Sequence, residues 1–283
     1  MTSPGPVAFT VFGIDVMWYG ILVASAFCLA IMLCYFRAPK HQIQPDHVLD
    51  FAIWMIPFAI IGARLYYVLF NWKDYAGDIH AILAIRSGGL AIHGGLFAGI
   101  IVGILVCRHY KINLVEMMDL VFPAVALGQA IGRWGNFFNS EAYGVPADLP
   151  WSIIVNDLKV HPTFLYESIW CFLLFLFLIW VDRKRKFRGQ IVLLYAILYS
   201  AERAVVEGLR TDSLYFLGIR QAQIVSVAVF IVCTSIYIYN IRKLRADQEK
   251  QDLADAEEQA KIIAAEMDAE DAAYDAIIAA AGK

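Results

Sequence analysis

Seven stretches of the chain are nearly unbroken apolar runs: 16–36, 48–70, 88–107, 114–134, 163–181, 189–209 and 219–240. A helix of about 20 apolar residues crosses the hydrocarbon core of a bilayer. The pattern therefore predicts an all-α polytopic membrane protein with seven transmembrane helices. Two connecting segments are too long for tight turns. Residues 71–87 contain the apolar run Ile79–Ile85, too short to span and expected to lie on the membrane surface. Residues 135–162 hold Pro146, Pro150 and Pro162, with a Trp151–Val155 stretch of strand character. They are expected to form a small outward-facing cap, and loops of this length in compact proteins are usually functional.

Composition agrees with a membrane protein. Of 283 residues, 60% are hydrophobic and 17% charged, against about half and a quarter in soluble domains, and the mean hydropathy is +0.60. So little charge excludes a disordered chain, a coiled coil or a nucleic-acid binder. The net charge of −3 averages two unlike regions. Residues 246–283 carry eleven acids against three lysines, a net of −8, which leaves +5 for residues 1–245. The expected organisation is a seven-span membrane domain, 1–245, followed by an acidic, Ala-rich tail read as marginal helix or disorder with a solvated face. With the N-terminus outside, the inner segments hold 13 Lys and Arg and the outer loops four: Lys73, Arg86, Lys159 and Arg210. This asymmetry predicts N-out, C-in. The five cysteines lie in apolar runs, none in a C-x-x-C pair, and read as buried small side chains. With no Lys or Arg before Arg37, the N-terminus is not read as a cleavable signal peptide.

Charge inside the spans is the candidate chemistry. Arg64, Glu116, Asp119, Arg133, Glu167, Glu202, Arg203 and Glu207 fall within or at the edge of spans, where each costs at least about 2.5–3.5 kcal/mol at the bilayer centre. In the sixth span Tyr199, Arg203 and Glu207 step by four. Arg210, seven beyond Arg203, would lie within about 20° of it on an α-helix. In the fourth, Gly132–Asn139 sits where the helix is expected to end. Its glycines let backbone approach a ligand, Arg133 offers a planar fork for phosphate, and Asn136 and Asn139 offer neutral hydrogen bonds. In the third, Ala91, Gly95, Gly99 and Gly103 form a small-residue stripe for helix packing. His93 points about 200° away from Gly95, toward a cavity rather than lipid. These three spans are expected to converge on an outward-facing cationic pocket at the depth of a phospholipid head group. Arg64, Glu116 and Asp119 read as structural.

An anion or lipid transporter would share such a pocket, but many transporters show two related halves, and no internal repeat is visible. An intramembrane protease would need a Gly-x-Ser-x-Gly-like or paired-Asp arrangement, and a metal-dependent head-group transferase would need clustered Asp on a span; the spans lack both.

Particular motifs go further: Trp18-Tyr19-Gly20, Gly88 through Gly95, Gly132 through Glu141, Tyr143-Gly144, His161-Pro162-Thr163-Phe164-Leu165-Tyr166-Glu167, and Arg203 with Glu207, Arg210 and Asp212. In these the chain resembles the bacterial phosphatidylglycerol–prolipoprotein diacylglyceryl transferases over nearly all of residues 10–240. Phe164 departs from the Gln that many members carry, and the acidic tail lies outside the resemblance. The resemblance implies a bacterial cytoplasmic-membrane enzyme that catalyses the first step of lipoprotein maturation. It would move the diacylglyceryl unit of phosphatidylglycerol to the lipobox cysteine thiol of a prolipoprotein signal peptide. A thioether forms, glycerol phosphate leaves, and no metal or organic cofactor is needed. Chemistry then suggests roles. Arg133 and Arg203 clamp phosphate, with Glu207 orienting Arg203. His93 is the candidate base. Tyr19 and Asn136 hydrogen-bond the head group. Glu141 ties the cap to Arg133 or binds glycerol hydroxyls. Gly144, Tyr199 and Arg210 complete the lipid site.

Overall fold

The computed structural model describes residues 2–85, 88–211, 215–216 and 218–281, with side chains described as far as residue 264 except that of Phe216. Arg86 and Asp212 lie outside the described residues. Residues Met1–Thr234 form one compact unit and Ser235–Lys283 a second.

A two-stranded hairpin, β1 (Val7–Val11) and β2 (Ile14–Met17), leads into α1 (Trp18–Arg37). After a 3₁₀ turn, α2 (Pro45–Phe70) starts with proline in its first turn, where its missing N–H costs nothing. Two short helices, α3 (Trp72–Tyr75) and α4 (Ile79–Leu83), occupy the segment expected on the membrane surface. Gly88 and Gly89, both at positive φ, turn the chain into α5 (Ile92–His109). The expected stripe packs α5 on α2: Cβ atoms added at Gly95, Gly99 and Gly103 would meet Ala59, Met55 and again Met55 at 3.2–3.5 Å.

The centre of the bundle is α6 (Leu114–Asn139), which packs on α1, α7 (Thr163–Asp182) and α8 (Gln190–Val206). Asn113 caps its start by accepting from the Glu116 N–H, and Ser140 in the left-handed conformation ends it. It therefore runs five residues past the expected end at 134, straight through the Gly132–Asn139 motif. Gly135 there accommodates the Tyr19 ring and Gly132 faces open space, and neither breaks the helix. The cap proper begins after Ser140. It carries the hairpin β3 (Ile153–Val155) and β4 (Leu158–Val160), packed on Phe137 and Phe164. Phe164 stacks on Phe137 at 4.9 Å between ring centroids, so the atypical aromatic is part of the cap's core.

Among the described residues, six helices are long and apolar enough to cross a membrane: α1 with its 3₁₀ extension, α2, α5, α6, α7 and α9 (Gln221–Ala281) as far as Ala264. The remaining expected span, 189–209, is α8 plus the 3₁₀ turn Glu207–Leu209. The 17 residues of α8 rise only about 26 Å, short of a hydrocarbon core of about 30 Å. Because the α-helix ends at Val206, Arg210 does not share a helix face with Arg203 as expected; it sits in extended backbone. The second unit is helical to Ala281.

Candidate active site

One carboxylate organises the far end of α6. Glu167, in the second turn of α7 and 1% exposed, pairs through Oε2 with Arg133 Nη2. Its Oε1 lies 3.4 Å from Arg203 Nη1 and 3.8 Å from Arg210 Nη1. Arg203 spends its other terminal nitrogen on Glu207 Oε2 at 2.5 Å. Three guanidiniums thus gather on two paired acids. Glu202, buried on the same helix, accepts no hydrogen bond among the described residues. Arg133 makes no other ion pair among those residues, so most of its five donors remain available to an anion.

Backbone contacts hold this knot from the cap side. Gly144 bridges to Arg210 and donates its N–H to the His161 carbonyl, while Val145 N–H donates to the Leu209 carbonyl at 2.8 Å. A Cβ at Gly144 would lie 2.7 Å from His161 Cβ and 3.1 Å from the Leu209 carbonyl oxygen. Only glycine lets the two strands approach, and this contact sets the place of Arg210. On the other side Arg220, from the short strand Ile219–Arg220, donates to the Glu207 carbonyl at 2.7 Å.

The remaining expected residues divide. Asn136 and Asn139 donate to Glu141 Oε1 at 2.9 and 3.3 Å. Glu141 therefore closes an amide–carboxylate turn at the end of α6, and the carboxylate on Arg133 is Glu167 instead. Tyr19 lays its ring against Gly135, where any Cβ would collide with it. Tyr199 stacks on Tyr195 at 5.4 Å. His93 is not one of the knot's residues. It is exposed at the start of α5, with its ring 6.1 Å from that of Tyr66, and it makes no hydrogen bond or ion pair among the described residues. The third span reaches the groove described below through Ile92, and α7 adds Glu167 to the knot.

Below the knot lies a groove of about 590 Å³ between α1, α2 and α6, reached at its upper end by Tyr19, Ile92 and Gly132. Its wall is apolar, with Val23, Ala26, Phe51 and Met55 on one side. On the α6 side, Cβ atoms at Gly128 and Gly132 would meet open space. A cationic knot above an apolar groove fits an anionic amphiphile.

Sequence reasoning listed Glu167 as a buried charge and as the end of a motif, but gave it no role. Its isolated position, with no arginine at i±3 or i±4, hides that three arginines from other elements reach it. Arg220 carried no signal, being the polar start of an apolar run.

A family model described as prolipoprotein diacylglyceryl transferase matches residues 6–239. A phosphatidylglycerol–prolipoprotein diacylglyceryl transferase of Finegoldia magna is 47% identical over 245 residues, 86% of this chain and 99% of that protein. A protein of the same name from Clostridioides difficile is 47% identical over 237 residues, covering 84% of this chain and 96% of its own. Another from Synechococcus elongatus is 43% identical over 264 residues, 87% and 91% of the two chains.

Proposed function

The chain belongs to the prolipoprotein diacylglyceryl transferase family, and from that premise we propose how its residues divide the work. It is a polytopic membrane transferase that moves the diacylglyceryl unit of phosphatidylglycerol to a prolipoprotein and starts lipoprotein maturation. The observation that carries the reading of the site is the gathering of Arg133, Arg203 and Arg210 on Glu167 above the apolar groove. The lipid phosphate sits on the guanidiniums and the acyl chains lie in the groove. The acceptor is the lipobox cysteine thiol. Its thiolate attacks the glyceryl carbon bonded to the phosphate oxygen. A carbon–sulfur bond forms, the carbon–oxygen bond breaks, and glycerol phosphate leaves with the electron pair. The leaving phosphate gains negative charge, so preplaced guanidiniums stabilise the transition state more than the ground state.

His93 takes the thiol proton. Its imidazole is exposed and unengaged among the described residues, and its neighbour Ile92 lines the mouth of the groove. Tyr19 and Asn136 contact the head group, Glu141 keeps the Asn136 amide in place, and Gly144 and Tyr199 support Arg210 and the wall beside Arg133. The N-terminus and the cap face out and the tail is cytoplasmic, in the bacterial cytoplasmic membrane. α8 completes a seventh crossing with its 3₁₀ turn, which brings the element to about 32 Å.

Purified protein given phosphatidylglycerol and a lipobox peptide should add a diacylglyceryl mass to the cysteine and release glycerol phosphate; an unmodified peptide overturns the reading. His93→Gln should slow transfer about 10²–10⁴-fold near neutral pH and recover as rising pH ionises the thiol unaided. An unchanged rate and pH profile would remove His93 as the base and leave thiol activation to the arginine field.

A further inference from the structure

We infer that Gln129 is a lipid-binding residue, donating its side-chain N–H to an ester carbonyl of the diacylglyceryl unit; the inference rests on the function proposed above. Among the described residues that line the apolar groove, Gln129 is the only carboxamide. Its Oε1 accepts from the Tyr195 hydroxyl at 2.8 Å and from Cys171 Sγ at 3.9 Å. The acceptor end of the amide is thereby engaged by α7 and α8. The Tyr195 ring is itself packed, edge-on to Phe122 at 4.8 Å and stacked on Tyr199 at 5.4 Å. The NH₂ end donates to nothing among the described residues. In an otherwise apolar groove, an amide held in one orientation with two unused donors is a built acceptor-binding site, because an unpaired donor there costs free energy that a carbonyl would recover.

The spacing selects the acceptor. Gln129 lies four residues before Arg133, one helical turn or about 6 Å deeper along α6. In a diacylglyceryl phosphate the ester carbonyls lie one glycerol unit from the phosphorus, toward the acyl chains. A phosphate on Arg133 therefore brings an ester carbonyl to the level of Gln129. The bare backbone of Gly128 and Gly132, with open space where Cβ atoms would be, leaves room on the same wall for the glyceryl unit. An anion alone would need the arginines but not this amide. Gln129 thus distinguishes a diacyl lipid from other phosphates and fixes the height of the reacting carbon.

The test compares phosphatidylglycerol with ester-linked chains against its ether-linked analogue, which keeps the phosphate and the chains but lacks the carbonyls. A lipobox peptide is the acceptor for purified wild-type, Gln129→Leu and Tyr195→Phe proteins. Wild type should show a KM about three- to tenfold lower for the ester lipid, the ratio expected of one net hydrogen bond. Gln129→Leu should abolish that preference by raising the ester KM while leaving the ether KM unchanged. Tyr195→Phe, which frees the amide without removing it, should reduce the preference and keeps the test in force if Gln129→Leu does not fold. Equal KM values for both lipids in wild type, an equal loss on both lipids in Gln129→Leu, or full ester preference in Tyr195→Phe overturns the inference. Wild-type turnover of neither lipid overturns the transfer reaction itself, a separate failure.

Discussion

Near the start of α6, Glu116 and Asp119 are buried among cations; near its end, about 25 Å along the helix, Arg133 is half-buried beside an acid. At the first end each acid meets several partners. Asp119 accepts the N–H groups of Gly189, Ile191 and Val192, capping the start of α8, and pairs with Arg185 at 3.0 Å. Glu116 meets Arg185, His41 and Arg188, and Asp182 meets Lys40, Arg37 and His41. Burial pulls the Arg185 guanidinium toward its neutral form, but Glu116 and Asp119 outweigh this and hold its pKa above the ordinary value. At the second end three guanidiniums share Glu167, and Arg133 keeps donors in reserve. Both ends bury charge, so burial does not separate structure from function here. The surroundings do: Asp119 closes the first knot on the start of α8, and the second stands above the apolar groove.

Breaking the closed knot should have the largest effect, and it should fall on stability. Asp119→Ala leaves Arg185 and three helix-end N–H groups without their acceptor, a loss of about 3–5 kcal/mol. The apparent melting temperature in detergent should drop by many degrees, while the specific activity of the protein that remains folded stays at the wild-type level. A parallel loss of activity per folded molecule would join the two knots functionally and dissolve the contrast.

Glu167→Gln attacks the open knot. It keeps the shape but removes the charge that gathers Arg133, Arg203 and Arg210, so kcat/KM should fall about 10²-fold, equivalent to roughly 2.7 kcal/mol of transition-state stabilisation. The measurement is steady-state transfer to a lipobox peptide. Wild-type rates would mean that the arginines are held without Glu167.

Arg133→Lys sharpens the same end more gently. A point charge replaces a planar fork, and activity should fall at least about tenfold, the rate equivalent of roughly 1.4 kcal/mol. Normal turnover by the folded variant would argue against bidentate contact with phosphate. The smallest effect belongs to a segment in neither knot. Deleting residues 246–283 should leave transfer by the purified protein unchanged, and lost turnover with unchanged folding would assign the acidic tail a part in the chemistry.

The apolar runs and their bounding charges determined most of the architecture, because a bilayer demands long apolar helices and tolerates few charged residues. The same economy marked Arg133, Arg203 and Glu207 as worth explaining, and the packing stripe Gly95, Gly99, Gly103 was legible because a helix repeats near every fourth residue. What one-dimensional spacing could not contain was partnership between elements. Arg133, Glu167, Arg203 and Arg210 lie on separate segments, and only tertiary packing brings them together. Asp119 read as structural, but nothing in the sequence showed that it caps a helix beginning 71 residues later. Gly132 and Gly135 looked like a helix end, but α6 continues to Asn139 because Tyr19 and the groove take the space that side chains would have filled. His93 has the chemistry of a base at any address. Its place was set by how α5 docks on α2, through glycines whose contacts lie on another helix. Local periodicity thus specified the elements and their faces. Long-range packing decided which charges neutralise one another and which remain available for a substrate.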